Sequence, residues 1–484
     1  KVVKPSGTAT VDNLNDGTAS YAYDAANRLT ATTFSDATAA FTYDYSAAGR
    51  LVTAQRVQNA NVVASTGTLR LSGAVTNAGI LGASDNGTLD LSGAVDGIGG
   101  GRVVALGVNA RVLLDGGIVT GGSLTAAGSS VIEVGANETL SGVTLFGSVV
   151  VDAGSKLTLT GDIYADGATI DATAGQIDLS AAHLHGGTVK LPVNQPLNGL
   201  VLDGGTGGIN LSGAVIKHGE TVTVLGSIIN TTAFTIAGNA GYGDRATLAV
   251  SGMAKLSGGG TVALRDLYNG GTYQSAGATG IIGATGADTL ENVDNVISGY
   301  GRIGQGKMSL VNKGTITATA STLTLDTGTS PIDNSGLLLA GGGVLAIRSN
   351  VVNSGQVRAD TGSTVTVGSL IRNNGSVSAA DGGTVFLDGG TLTGSGTFGS
   401  SALGKIEVGQ GGGYIIQALS QTVSLAGSLV VDHGGRLVLS GTIRNTGAAS
   451  LDGNAGSGDQ ASLAVLGAVT LQGGGTVLLH DLYN

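Results

Sequence analysis

The chain has 484 residues, including 87 glycines and four prolines but no cysteine or tryptophan, and its formal net charge is −10. The acidic balance argues against nucleic acid or an anionic membrane surface as a partner, because both require a basic face. The lack of cysteine excludes a disulfide framework and Cys-based zinc sites. No apolar run approaches the ~18 residues that a membrane-spanning helix needs, so membrane insertion of this segment is not expected.

Residues 1–57 differ from the rest of the chain in their aromatic content. Two similar segments, YAYDAANRLT and YDYSAAGRLV, begin at Tyr21 and Tyr43. They resemble the YD repeats of Rhs-type bacterial surface and toxin-shell proteins, whose core reads Tyr-Asp-x-x-Gly-Arg-Leu. The matching positions are Tyr23, Asp24, Arg28, Leu29, Tyr45, Gly49, Arg50 and Leu51, and the departures are Asn27 and Ser46. The resemblance implies extracellular β-strand wraps, and a β-rich cap on the following repeats is the alternative.

Residues 58–484 are predicted to form one repetitive domain. GTLRLSGAV at Gly67 recurs as GTLDLSGAV at Gly87. A longer repeat lies above this one, because residues 216–269 are echoed by 431–484 at an offset of 215. Repeats of these sizes are typical of proteins in which each unit stacks on its neighbours.

The repeat is clearest between Val311 and Leu392, where four units each open with Asn-x-Gly. Glycine and asparagine both tolerate the positive φ of a tight corner, so these positions predict a ladder of turns. The predicted turn ladder consists of Asn312, Gly314, Asn334, Gly336, Asn353, Gly355, Asn373 and Gly375.

The second half of each unit alternates between aliphatic and mainly polar residues. Period-two alternation over about five or six residues indicates a β-strand with one buried face. The residues predicted to point inward are Leu323, Leu325, Leu345, Ile347, Val365, Val367, Val385 and Leu387.

One unit of about 20 residues cannot bury enough apolar surface to offset its loss of conformational entropy. Stacking of successive coils closes that deficit, so the sequence predicts an all-β fold, a parallel β-solenoid of about 20 residues per coil after a short β-rich N-terminal segment. A right-handed winding is expected, because parallel connections strongly prefer that hand. Roughly 21 coils would give a rod on the order of 100 Å long.

Few residues suggest site chemistry. His183 and His185 would share a strand face, but two ligands make no metal site without a converging carboxylate or a third histidine, so ordinary surface histidines are favoured. Calcium is the one cofactor considered. Asp288 lies in a stretch that resembles a single Gly-rich calcium nonapeptide, a type of site that needs consecutive repeats, and Asp432 follows a strand, where aspartate commonly caps a turn.

The stretch ADTLENVDNVISGYGRIG at Ala287–Gly304, with the Asn-x-Gly coils after it, resembles the repeat blocks of filamentous-haemagglutinin-like and autotransporter-like β-helical adhesins. The resemblance covers roughly Asn61 to Asn484. It implies a non-catalytic structural fibre of the bacterial surface or extracellular matrix, acting in adhesion, cell–cell contact or biofilm.

Alternatives to that function are a carbohydrate- or receptor-binding adhesin shaft and, less favoured, a polysaccharide-degrading enzyme on the same fold, because charged residues are thinly spread and tryptophan is absent. The long repeat stops mid-pattern without a visible cap, so end-to-end self-association or continuation in a larger chain is also expected.

Overall fold

The structure is a computed structural model that describes residues 9–13, 17–23, 26, 28–34, 40–45, 51–57, 61–65, 67–97, 99–192, 195–205, 207–210, 213–267, 277–410, 413–456 and 458–482. The chain divides into two compact units, residues 1–211 and 212–484. The described residues contain β-strands and one three-residue 3-10 helix, with no α-helix. The predicted fold class is confirmed, because parallel strands stack into a β-solenoid of about 18 turns with roughly 21 residues per turn.

Unit 1 begins with an antiparallel sheet in which each strand pairs with the next one along the chain. Its strands are β1 (Ala9–Asn13), β2 (Gly17–Tyr23), β3 (Leu29–Phe34), β4 (Ala40–Tyr45) and β5 (Leu51–Val57). The YD-like residues Asp24, Asn27, Ser46, Gly49 and Arg50 lie outside the described residues. Tyr23, Arg28, Leu29, Tyr45 and Leu51 lie in or beside β2–β5.

Parallel pairing begins in unit 1 after β5, and the described strands from there on belong to the solenoid. These strands are β6 (Asn61–Ala64), β7 (Gly67–Ser72), β8 (Val75–Thr76), β9 (Ile80–Ser84), β10 (Gly87–Ser92), β11 (Ala94–Asp96), β12 (Arg102–Leu106), β13 (Arg111–Leu114), β14 (Gly117–Thr120), β15 (Ser123–Ala126), β16 (Val131–Val134), β17 (Glu138–Ser141), β18 (Thr144–Phe146), β19 (Ser148–Val151), β20 (Lys156–Tyr164), β21 (Thr169–Asp171), β22 (Gln176–His185), β23 (Gly187–Lys190), β24 (Val201–Asp203) and β25 (Ile209–Asn210).

Unit 2 continues the same kind of coil and contains the 3-10 helix, at Ala240–Tyr242. Its strands are β26 (Val215–Lys217), β27 (Thr221–Ile229), β28 (Ala233–Gly238), β29 (Ala246–Ser257), β30 (Thr261–Asp266), β31 (Thr279–Gly283), β32 (Asp288–Asn292), β33 (Val296–Gly304), β34 (Met308–Asn312), β35 (Thr315–Leu325), β36 (Ile332–Asn334), β37 (Leu337–Ala340), β38 (Val344–Ile347), β39 (Val351–Asn353), β40 (Gln356–Ala359), β41 (Thr364–Val367), β42 (Leu370–Asn373), β43 (Ser376–Ala379), β44 (Thr384–Leu387), β45 (Gly390–Thr393), β46 (Thr397–Ser400), β47 (Lys405–Val408), β48 (Gly413–Gln417), β49 (Val423–Ala426), β50 (Ser428–Val431), β51 (Arg436–Asn445), β52 (Ala448–Gly453), β53 (Ser462–Gln472) and β54 (Thr476–Asp481).

The core of the solenoid consists of columns of aliphatic side chains that run from coil to coil. Leu345 pairs in register with Val365, and Val365 pairs with Val385, so equivalent positions stack directly. All eight residues that the alternation predicted to point inward are at most 1% exposed. Each coil therefore completes the hydrophobic interior of the next one, as the entropy argument requires.

The long repeat reappears as repeated structure within unit 2. Strands β28 and β30 of the first copy correspond to β52 and β54 of the second. A short antiparallel bridge joins Asn239 to Asp244, and the same bridge joins Asn454 to Asp459. The sequence duplication thus preserves a local detail of the backbone as well as the strand order.

One carboxyl group interrupts the apolar interior of unit 1. Glu138 begins β17 and is 3% exposed. Neither carboxylate oxygen has a hydrogen bond of good geometry. Burial raises the pKa of Glu138 to about 7, although the nearby amides of Gly116 and Thr139 oppose the shift.

This carboxyl predicts a pH-dependent stability for unit 1. Because the folded-state pKa of Glu138 lies above the usual 4.5, protonation of this carboxyl stabilises the folded state. That stabilisation is complete below about pH 4.5 and is lost as the pH rises through about 7. Glutamine stays neutral at every pH, so Glu138→Gln should gain stability over wild type as the pH rises. The difference in free energy of unfolding between variant and wild type should be larger at pH 8 than at pH 5 by on the order of 1–3 kcal/mol. Hydrogen exchange of β17 and its neighbours β14 and β20, followed as a function of urea in both proteins at the two pH values, measures the difference locally.

Asp381→Asn is the control for this experiment. A hydrogen bond from Ser401, with another from the Leu403 amide, holds the pKa of the exposed Asp381 below its usual value. Its contribution to stability is lost only below the range tested, so the difference between this variant and wild type should be the same at pH 5 and pH 8. A pH-independent effect of Glu138→Gln would contradict the assignment.

Candidate functional site

Three successive coils of unit 1 bring histidine and aspartate side chains together on one outward sheet face. Strands β20 and β22 pair in parallel, with Asp162 opposite His183 and Tyr164 opposite His185. Strand β24 follows, with Asp203 opposite His185. Because alternate residues of a strand point to opposite faces, these five side chains form a patch on the outer surface. The intervening residues Ile163, Leu184 and Leu202 are fully buried.

The Asp162 carboxylate lies at the centre of this patch. Its Oδ1 is 3.2 Å from Nδ1 of His183 and 3.0 Å from Nε2 of His185. One ligand atom from each of the three residues can be chosen so that all three lie within 4.8 Å of one another. The described part of the chain contains no other group of three histidine, aspartate or glutamate side chains that meets this spacing.

His185 is the most enclosed of these residues, with a side chain 19% exposed. Its ring stacks on Tyr164, with the ring centroids 4.4 Å apart, and packs against the ring of His183 at 4.1 Å. Its other nitrogen, Nδ1, lies 3.4 Å from Oδ2 of Asp203. Two aromatic rings and two carboxylates therefore lie against the His185 ring and hold it in place.

The electrostatics of the patch favour the ionised form of Asp162. The hydrogen bond with His185 lowers the pKa of Asp162, and the charges of His183 and His185 add to the effect. The Asp162 side chain is 58% exposed and that of His183 is 37% exposed, so solvent reaches this edge of the patch. His183 Nε2 is buried and has no hydrogen-bond partner, so no other group fixes which nitrogen of that ring carries the proton.

The structure places His183 and His185 on one strand face, and it adds a converging carboxylate that the sequence argument did not identify. Asp162 comes from the preceding coil, where it pairs with His183. Asp203 comes from the following coil, where it pairs with His185. The coil repeat in the sequence could have identified both aspartates, because residues one coil before or after the histidine pair become its neighbours in the fold.

The calcium candidate Asp288 lies elsewhere, at the start of β32 in unit 2. Its Oδ1 accepts a hydrogen bond from the Gly252 amide at 2.7 Å, and its Oδ2 accepts one from the Thr285 amide at 2.6 Å. Burial tends to raise the pKa of Asp288, but these hydrogen bonds outweigh it and the pKa is lowered. The carboxylate ties a turn to the preceding coil and faces N–H donors rather than the six to eight oxygens that calcium prefers.

The second candidate, Asp432, follows β50 and is 31% exposed at its side chain. It accepts a hydrogen bond from the backbone amide of His433 at 2.9 Å. The His433 ring lies 3.7 Å from Asp459. Asp432 is thus placed in a turn beside a histidine.

The Asn-x-Gly asparagines form a continuous buried ladder of side-chain amides. Each Nδ2 donates to the Oδ1 of the next asparagine, and the distances from Asn312 to Asn334, on to Asn353 and on to Asn373 are 2.8, 2.7 and 2.7 Å. The ladder also extends back, because Asn292 donates to Asn312 at 2.9 Å. These five residues are at most 2% exposed.

Each ladder amide is also bonded to the backbone. Nδ2 of Asn334 reaches the carbonyl oxygen of Gly336 at 3.3 Å and that of Gln356 at 3.1 Å. The same two contacts recur at Asn353, with Gly355 at 3.3 Å and Ser376 at 3.1 Å. One asparagine therefore joins two coils through its side chain as well as through the strand backbone.

The backbone conformation shows that the prediction of positive φ at the Asn-x-Gly positions was wrong. The ladder asparagines and glycines all lie outside the positive-φ region, and the left-handed corners of these coils are instead at Gly362 and Gly382, with φ of 71° and 73°. Glycine is required after each asparagine because the coils come close together. A Cβ on Gly336 would lie 2.1 Å from the Gly314 carbonyl oxygen, and one on Gly355 would lie 2.1 Å from that of Gly336.

Comparison of the chain with protein-family models, with curated proteins and with solved structures finds no match. No helix among the described residues is both long and apolar enough to span a bilayer.

Proposed function

We propose that this chain is a non-catalytic structural segment of a fibre on the bacterial cell surface or in the extracellular matrix, acting as a shaft or filament unit in adhesion or cell–cell contact. The observation that carries the proposal is the continuity of the stack. Aliphatic columns and the asparagine ladder run through successive coils, so each coil serves mainly to support the next one. Such an arrangement suits a mechanical spacer.

The pairing pattern supports a mechanical role. A stretch such as β36–β45 joins its coils by parallel backbone pairing on three sheet faces, for example β37 with β40, β38 with β41 and β39 with β42. Pulling neighbouring coils apart would break these backbone hydrogen-bond ladders together with the buried hydrogen bond between the side-chain amides of Asn334 and Asn353. The load is therefore shared among many bonds of similar strength.

The proposal includes end-to-end association with a second copy, or cover by further coils of a longer chain. Leu479 in β54 is 87% exposed, whereas Leu264, the equivalent residue of β30, is fully buried. β30 pairs with β28 on one side and with β33 on the other. Another parallel coil on β54 would bury this apolar surface in the same way.

Removal of one whole coil tests the structural role. Deletion of residues 354–373 joins Asn353 to Asn374-Gly375 and so recreates an Asn-x-Gly corner. Strand β37 would then pair with β43, β38 with β44 and β39 with β45, so the columns stay in register. We expect the shortened protein to fold, with wild-type circular dichroism and an unfolding midpoint near that of wild type, because coils interact mainly with their neighbours.

Deletion of half a coil, residues 354–363, is the matched control. It removes β40 but keeps β41 and β42, so the later strands no longer reach the sheet faces on which they pair, and the fold of unit 2 should be disrupted. Both proteins, with wild type, are tested for binding on a glycan array and for depolymerisation of acidic polysaccharides. Saturable glycan binding that disappears with the deleted coil would favour a binding shaft, and depolymerisation would favour an enzyme. Either result would overturn the proposed function.

A further inference from the structure

We propose that Asp162, His183 and His185 bind one divalent transition-metal ion that links strands β20 and β22, with Asp203 as a positioning residue. The inference is independent of the structural role proposed above. It concerns only the outward patch on unit 1 that these strands and β24 form.

The spacing of the ligand atoms fits a metal of the size of Zn²⁺. In a tetrahedral site with bonds of about 2.0 Å, neighbouring ligand atoms lie about 3.3 Å apart. Asp162 Oδ1 is 3.2 Å from His183 Nδ1 and 3.0 Å from His185 Nε2. These two distances match two edges of a tetrahedral shell, and one ligand atom from each of the three residues can be chosen so that all three lie within 4.8 Å of one another.

The surroundings of His185 give a second, separate argument. Its Nε2 faces Asp162 and its Nδ1 faces Asp203, at 3.0 and 3.4 Å. A neutral imidazole carries one N–H and can donate to only one of two carboxylates. With a metal between Nε2 and Asp162, the Nδ1–H of His185 donates to Asp203, so both nitrogens of this ring are satisfied. A carboxylate that accepts from the outer nitrogen of a ligating histidine is the usual support of a metal site.

The donor set indicates the class of metal. Two imidazole nitrogens and one carboxylate oxygen suit Zn²⁺, Ni²⁺ or Cu²⁺, whereas Ca²⁺ and Mg²⁺ prefer shells made of oxygen. The exposed edge of the patch, at Asp162 and His183, leaves room for the ion to enter and for water to complete its coordination. Because the ligands come from two coils, a bound ion stabilises their contact.

The experiment measures Zn²⁺ bound to the full chain after metal removal and reloading, by elemental analysis and by calorimetry. We expect one tightly bound Zn²⁺ per chain in wild type and none in His185→Ala or Asp162→Asn. Asp203→Asn keeps all three ligands and should bind about 10–100-fold more weakly. With Zn²⁺ at about 100 times its dissociation constant, amide exchange in β20 and β22 should slow by up to about 100-fold.

His433→Ala is the matched control, since that ring also lies near two carboxylates, Asp432 at 3.9 Å and Asp459 at 3.7 Å, but has no second histidine beside it. This variant should keep the bound ion. Co²⁺ provides a spectroscopic check, because its visible absorption intensifies in a tetrahedral site and should do so in wild type and His433→Ala but not in His185→Ala. Circular dichroism establishes that each variant is folded. Absence of Zn²⁺ binding by wild type, or equal binding by His185→Ala, would overturn the inference.

Discussion

Asn334→Leu is expected to lower the free energy of unfolding around β36–β39 by about 2–4 kcal/mol. Leucine matches asparagine in size but cannot hydrogen-bond, so Oδ1 of Asn353 loses its 2.7 Å donor and Nδ2 of Asn312 loses its 2.8 Å acceptor. Nδ2 of Asn312 keeps its bonds to the Gly314 and Leu337 carbonyl oxygens, but Oδ1 of Asn353 is left buried without a donor, which costs more than the bond itself contributes. The loss should extend to both neighbouring coils because each side chain bridges two coils.

Hydrogen exchange followed by mass spectrometry measures this effect locally, since a long repeat does not unfold in one step. Exchange should accelerate in β36 and β39, where Asn334 and Asn353 lie, and much less in β51 and β53 of the same unit. Asn374→Leu is the control, because Asn374 is exposed beside the buried Asn373 and its replacement should change stability by less than about 0.5 kcal/mol. Equal effects of the two substitutions would show that the ladder contributes nothing specific.

Gly355→Ala is expected to cost at least about 3 kcal/mol, although it adds a single methyl group. Gly355 has an ordinary φ, so alanine meets no backbone strain there. Its Cβ would instead lie 2.1 Å from the Gly336 carbonyl oxygen and 2.6 Å from the carbonyl carbon of Ser335. Those atoms belong to the backbone of the preceding coil, so the two coils must separate and weaken their hydrogen bonds.

Gly368→Ala provides the matched control within the same coil. Gly368 is exposed and also has an ordinary φ, and the nearest atom to an added methyl group is the Asp388 carbonyl oxygen at 3.4 Å, an ordinary contact. Its replacement should leave the unfolding midpoint close to that of wild type. If Gly355→Ala is tolerated equally well, the spacing of the coils is looser than the ladder distances indicate.

The repeat in the sequence was sufficient to predict the fold. Alternation identified the inward residues, and the steps between Asn312, Asn334 and Asn353 predicted which residues stack. These predictions depend on local periodicity, which every coil repeats, so small differences in length between coils do not obscure the pattern. The same reasoning gave the wrong cause for Asn-x-Gly, because backbone conformation and the distance between coils both favour glycine and the sequence does not distinguish them.

The histidine patch shows what only the tertiary structure decided. Lys156 pairs with Gln176, but the register shifts between Thr158 and Thr160, so every later residue of β20 pairs one position further along β22. Without this shift, the buried Ile163 would lie opposite His183 in place of Asp162. The extra residue lies in β22, where the buried positions change from Ile177 and Leu179 to Ala182 and Leu184, and this change turns His183 and His185 outward beside Asp162. The period of the sequence determines that coils stack, whereas the exact length of each coil, which determines the neighbours of each surface residue, is set by the folded backbone.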